Sequence, residues 1–162
     1  MHKIPKGAPT NLYEAFSYIA SVNQPKIDDL KLLVILEAAG KAMYDALAES
    51  VEDREVRALL QESGQDELLH ANRVSQAIVK LTGEAYPIPG TAENPYLVDW
   101  VKPVLTREMI EGLVGAELGG EALYASWAAN CPNAEAARLF EQNGSEEANH
   151  AQRLRVIAGR LQ

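Results

Sequence analysis

A chain of 162 residues is long enough to form one domain around a substantial apolar core. Its net charge of −8 excludes a general nucleic-acid binder, which needs a basic face. A single cysteine, Cys131, excludes an internal disulfide and any cysteine-rich zinc or iron–sulfur site in this stretch.

No run of about 18 apolar residues is present, so no transmembrane segment is expected. The opening MHKIPKGAPTN lacks the apolar run of a secretory signal, and a cytoplasmic location is expected. Only 6% of residues are aromatic, whereas Ala, Leu and Glu abound, a bias that favours helices.

Residues 1–25 read as an N-terminal extension with one short helix around Asn11 to Val22, where Asn11 and Glu14 form a capping-box pattern. The first long helix runs from about Lys26 to Ser50, with Leu30, Leu33, Glu37, Gly40, Tyr44, Leu47 and Val51 on one stripe. The second runs from about Arg54 to Leu81, and its stripe includes Leu60, Ser63, Glu67, His70 and Val74. A polar turn near Glu52 and Asp53 joins them into a first hairpin, residues 26–81. Residues 82–105 form a crossover, because four prolines and two glycines within 82–103 break any continuous helix. The third helix runs from about Thr106 to Asn130, with Ile110, Leu113, Glu117, Gly120, Tyr124 and Trp127 on its stripe. The fourth runs from about Asn133 to Leu161, with Leu139, Asn143, Glu147, His150 and Leu154. Pro132 separates these two, giving a second hairpin, residues 106–162.

The two hairpins are written in the same phrase. Glu37, Gly40, Tyr44, Glu67, His70 and Arg73 recur 80 positions later, without a gap, as Glu117, Gly120, Tyr124, Glu147, His150 and Arg153. Two repeats are too few for a solenoid, so two hairpins packed as one four-helix bundle is the natural arrangement.

Charged residues interrupt each stripe where a core face should be apolar. Glu37 and Glu67 are separated by 30 residues about the turn, so each lies about 15 residues, or roughly 22 Å, from it. They therefore meet at one height, and Glu117 and Glu147 do the same about Pro132. His70 and His150 follow Glu67 and Glu147 by three residues, on the same helix faces. Four carboxylates brought together in a core destabilise it unless they are compensated, and two divalent cations balance them. The set matches the known Glu, Glu-x-x-His, Glu, Glu-x-x-His arrangement of di-metal carboxylate bundles. Oxygen-rich ligation with two imidazoles suits iron or manganese.

These residues resemble the ferritin-like di-iron superfamily and, within it, the rubrerythrin-like proteins, over about Lys26 to Leu161. The resemblance implies an all-α fold, a ferritin-like four-helix bundle of two hairpins joined by a long crossover, with the short N-terminal helix as an addition. It implies two iron ions, with manganese or zinc as substitutes, held by Glu37, Glu67, His70, Glu117, Glu147 and His150. By the same analogy Glu67 and Glu147 bridge, and Glu37 and Glu117 are terminal. Two departures stand out. A rubredoxin-like domain would need four cysteines, so an external electron donor is expected. Gly120 stands where the relatives carry a further glutamate, three residues after the third-helix ligand. Glu121, one position on, faces away from the stripe.

Other residues read as supports. Tyr44 and Tyr124 are expected to hydrogen-bond ligand carboxylates, and Asp66 and Glu146 to accept the free N–H of the histidine on the other hairpin. Arg73 and Arg153 are expected to pair with these acids. Gly40 and Gly120 leave space beside the metals, either for peroxide or dioxygen or for close helix packing. The implied activity is reduction of peroxide or dioxygen by a homodimer. The alternatives are ferritin-type iron oxidation and storage, and hydroxylation of an organic substrate in an apolar pocket under the Tyr86 to Trp100 segment.

Overall fold

The computed structural model describes residues 2–161. It is all-helical, with α1 (Leu12–Ala20), α2 (Ile27–Glu49), α3 (Arg54–Thr82), α4 (Arg107–Asn130) and α5 (Ala134–Arg160), and no strand among the described residues. None of these helices is long and apolar enough to cross a membrane. Side chains at the N-termini set several of the boundaries. Asn11, Asp53, Thr106 and Asn133 each accept hydrogen bonds from free backbone N–H groups at the starts of α1, α3, α4 and α5. Gly83 ends α3 in a left-handed conformation, φ 79°, which a residue without Cβ adopts freely.

The short connections make α2–α3 and α4–α5 antiparallel pairs, and α3 packs against α5 to join them. The backbones of α2 and α4 stay further apart than these neighbours, and two buried tyrosines cross between them. Two apolar clusters fill the bundle. One gathers Leu30, Leu33, Val34, Val74, Ile78, Trp127 and Phe140. The other gathers Leu47, Val56, Leu60, Ile110, Leu154 and Ile157. Between them, at mid-height, lies a buried polar layer of Glu37, Glu67, His70, Glu117, Glu147 and His150.

One feature of α2 exceeds a single apolar stripe. Leu32, Val34, Ile35 and Leu36 are all buried, so this helix is enclosed on nearly every side. The outer cover comes from α1 and from the crossover, whose Tyr86, Ile88 and Tyr96 pack onto the same cluster. Asn94 fastens the crossover by donating to the Ile35 carbonyl at 2.8 Å, and Tyr96 donates to Pro9 at 2.6 Å. The crossover thus lies over the outside of α2.

Candidate metal centre

Each of the four long helices, α2 to α5, brings one part of the polar layer. Position 37 of α2 and position 117 of α4 each supply a glutamate, and α3 and α5 each supply a Glu-x-x-His pair one helical turn long. All six side chains are buried, and both imidazoles are fully so. They fall into two groups whose donor atoms lie within 4.8 Å of one another. The first is Glu67, Glu117, Glu147 and His150; the second is Glu37, His70 and Glu147. Glu147 therefore belongs to both. The two imidazole rings stack at 5.2 Å, with 20° between their planes.

The histidines share one orientation. His150 Nδ1 faces Glu67 and Glu117 at 3.3 Å and Glu147 at 3.4 Å. His70 Nδ1 faces Glu147 at 3.4 Å and Glu37 at 3.8 Å. The other ring nitrogens point outward, Nε2 of His70 lying 3.0 Å from Glu146 and Nε2 of His150 lying 3.3 Å from Asp66. An ionised carboxylate only accepts, so Nε2 carries the proton and donates it, which fixes each ring. Arg73 clamps Glu146 with two bonds of 2.6 and 2.9 Å, and Arg153 holds Asp66 at 2.7 Å. These pairings cross from one hairpin to the other.

The tyrosines also cross. Tyr44 of α2 donates to Glu117 of α4, and Tyr124 of α4 donates to Glu37 of α2. Each hydroxyl therefore steadies the glutamate of the opposite hairpin. Burial first, and then the adjacent carboxylate of Glu117 or Glu37, raises both phenols well above their ordinary range, so they remain donors.

The carboxylates are driven in opposite directions. Burial raises Glu67 well above the usual carboxylate range, with repulsion from Glu37 adding to it. Burial likewise lifts Glu117 to about 7, against the hydrogen bond from His150. For Glu147 burial is outweighed by the imidazoles of His150 and His70, each 3.4 Å away, which hold it well below that range. Burial alone would keep the imidazoles neutral. The carboxylates around them win, raising His70 to about 11 and moving His150 further in the same direction. Acids and imidazoles therefore share protons that a divalent cation would displace.

Two buried atoms, His70 Nδ1 and Glu147 Oε2, have no hydrogen-bond partner among the described residues. Buried polar groups are nearly always paired, and an orphan needs an explanation. Both belong to the cluster, and a hard or borderline cation is a partner that suits nitrogen and carboxylate oxygen alike. The residues present thus fit a metal ion, and the buried cluster points to metal binding.

The glycines of the repeat have a definite place. A Cβ on Gly40 would lie 2.9 Å from Glu67 Oε2, and one on Gly120 would lie 3.2 Å from Glu147 Oε1. The space beside them is taken by the glutamates themselves. Gly64 and Gly144 do the same for the tyrosines, with a Cβ 3.2 Å from that of Tyr44 and 3.1 Å from that of Tyr124. This second pair also recurs at the 80-residue offset, a signal that the ligand-centred pattern passed over. Asn143 stood on the α5 stripe without a role. Its amide donates to the His70 carbonyl at 3.2 Å, and its oxygen accepts from Arg73 at 3.1 Å. Glu121 is exposed.

A cleft of about 430 Å³ lies at the end of the bundle, walled by Pro25, Lys26, Trp127, Cys131 and Phe140, and none of its lining residues belongs to the polar layer. Comparison with protein families gives a match to a family model described as Rubrerythrin, over residues 28–158. Comparison with curated proteins and with solved structures gives no match.

Proposed function

The chain belongs to the rubrerythrin family, and from that premise we propose that it is a non-haem di-iron protein that reduces peroxide or dioxygen. The observation that carries the reading is the buried cluster of four glutamates and two histidines, with His70 Nδ1 and Glu147 Oε2 otherwise unpartnered. In this reading His150, Glu67, Glu117 and Glu147 hold one iron, and His70, Glu37 and Glu147 hold the other. Two irons, when bound, supply the two electrons that reduce a peroxide O–O bond.

The chain's own residues do the rest. Asp66 and Glu146 keep the Nε2 protons in place, so that each Nδ1 presents its lone pair inward. Tyr44 and Tyr124 hold Glu117 and Glu37 on line from the opposite hairpin. The apolar clusters above and below the layer exclude bulk water, which strengthens every charge interaction within it. The position of the crossover on the outside of α2 gives no support to an organic substrate pocket under the Tyr86 to Trp100 segment. That favours a diatomic or peroxide oxidant over hydroxylation.

Electrons come from an external donor in this reading, and the working unit is a homodimer in the cytoplasm. The test is anaerobic loading with iron(II), followed by stopped-flow mixing with hydrogen peroxide. Oxidation much faster than that of free iron(II), with repeated turnover once a donor is added, is the expected result. Oxidation no faster than that of free iron(II) rules the activity out. Light scattering separates the ferritin-type alternative: a dimer supports the present reading, and a large shell that mineralises iron replaces it.

A further inference from the structure

The six inner residues repeat, but the shell behind the two histidines does not. Behind His70 the residues form a closed ring. His70 meets Glu146, Glu146 is clamped by Arg73, Arg73 donates to Asn143, and Asn143 donates back to the His70 carbonyl. Here one acid is matched by one guanidinium. Behind His150 the ring is open. Arg153 divides itself between Asp66 at 2.7 Å and Glu62 at 2.7 Å, so two acids share one guanidinium. The positions equivalent to Gln142 and Asn143 are Glu62 and Ser63, and a serine has no amide with which to close the ring.

Both differences act in one direction, and they outweigh the closer carboxylate behind His70, 3.0 Å from Nε2 against 3.3 Å behind His150. A carboxylate behind a ligating imidazole makes it the more basic donor, and does so more strongly the less its charge is neutralised. The His150 side keeps the excess negative charge. It also has the fuller inner set, with three carboxylates within 3.4 Å of Nδ1. His70 Nδ1 has two, at 3.4 and 3.8 Å.

We propose that the two ion positions are unequal: the His150 position, with Glu67, Glu117 and Glu147, fills first and holds its ion more tightly. The His70 position, with Glu37 and Glu147, takes the second, exchangeable ion. Glu62 and Asp66 on one side, and Asn143 and Glu146 on the other, are positioning residues that set this difference. The proposal rests on the di-iron reading, and its test separates the two.

Metal-free protein is titrated anaerobically with cobalt(II), followed by visible absorption and calorimetry. Two ions are expected in two steps whose dissociation constants differ by about tenfold or more, the range typical of changes in the shell behind a ligand. His150→Ala removes the tighter step, and His70→Ala leaves it and removes the weaker. Glu62→Gln weakens the tighter step by only a few-fold, below that roughly 10- to 100-fold range, because Glu62 is 58% exposed. Two ions bound with equal constants, or a tighter step that survives in His150→Ala and is lost in His70→Ala, overturn the inequality while leaving a di-metal site. A protein that binds no cobalt overturns the di-iron reading itself, and the inequality with it.

Discussion

The two hairpins are alike on their inner faces and unlike on their outer ones. On the inside, every residue of the polar layer in the first hairpin has its counterpart in the second, down to the glycines that seat the glutamates and tyrosines. Outside, α2 carries Leu32, Ile35 and Leu36, all fully buried under α1 and the crossover. The matching positions of α4 are Gly112, Gly115 and Ala116, which are exposed. The difference separates two demands on one helix. Chemistry fixes the face that looks at the polar layer, where one side chain out of place leaves a buried charge unpaired. The opposite face answers only to whatever covers it, and α2 and α4 are covered differently.

Four predictions bear on that comparison. The largest effect concerns Glu147 and Glu67, the two glutamates that the family resemblance implies as bridges. Glu147 lies in both donor groups and Glu67 in only one. Glu147→Ala is expected to lose both ions, beyond the roughly 100-fold loss at the upper end for changes behind a ligand. Glu67→Ala should retain one. Elemental analysis after desalting reads the result, and equal losses would show the two glutamates to be interchangeable.

Next come the glycines beneath the tyrosines. A methyl at Gly144 would press on the Tyr124 Cβ and on the Glu121 carbonyl at 3.4 Å. Tyr124 is held by its bond to Glu37 and by rings on either side. The overpacking costs about 1–3 kcal/mol against the roughly 1 kcal/mol that alanine gains in a helix. Gly144→Ala should lower Tm, and Gly64→Ala, with slightly more room, should lower it less. A rise in both would mean that the tyrosines can move.

The third prediction concerns pH. In the metal-free protein His70 titrates near 11, above its ordinary 6.5, so its imidazole is protonated at pH 7, and His150 behaves in the same way. That proton must leave before Nδ1 can ligate, so metal affinity rises as pH rises, by about tenfold per pH unit for each proton displaced. The stability that this imidazolium gives the metal-free fold is fully present below the ordinary pKa and is lost as pH rises through 11. Calorimetry in buffers of different ionisation heats counts the released protons, and a count of zero would contradict the account.

The smallest effect is at Gly40. Gly40→Ala should gain up to about 1 kcal/mol for the metal-free helix while displacing Glu67 Oε2, 2.9 Å from the new Cβ, and so weakening ion binding. Opposite shifts in metal-free Tm and in ion affinity identify it. Gly120→Ala, with 3.2 Å available, should show the same pattern more weakly.

Much of the bundle and its polar layer is legible in the sequence because the layer obeys helical arithmetic. Glu67 and His70 three apart, and Glu37 placed symmetrically about the turn, put side chains at one height by spacing alone. The all-helical bundle follows from the same periodicity. What is not legible depends on distances across the bundle. That Tyr44 reaches Glu117 and not its own Glu37 is decided by the gap between α2 and α4. Asn143 gives no signal because its partners are an arginine and a carbonyl on another helix, 70 and 73 residues away in sequence. The burial of α2 on its outer side is hidden for a similar reason. A segment broken by prolines announces that it is not a helix, but does not announce what it lies against.

The central claim is that the polar layer is a two-iron site, and metal analysis of protein made in iron-replete cells tests it most directly. The account predicts about two irons per chain, falling to none when Glu147 is replaced by alanine. A folded bundle that emerges without metal, and binds none when iron(II) is supplied anaerobically, would contradict it.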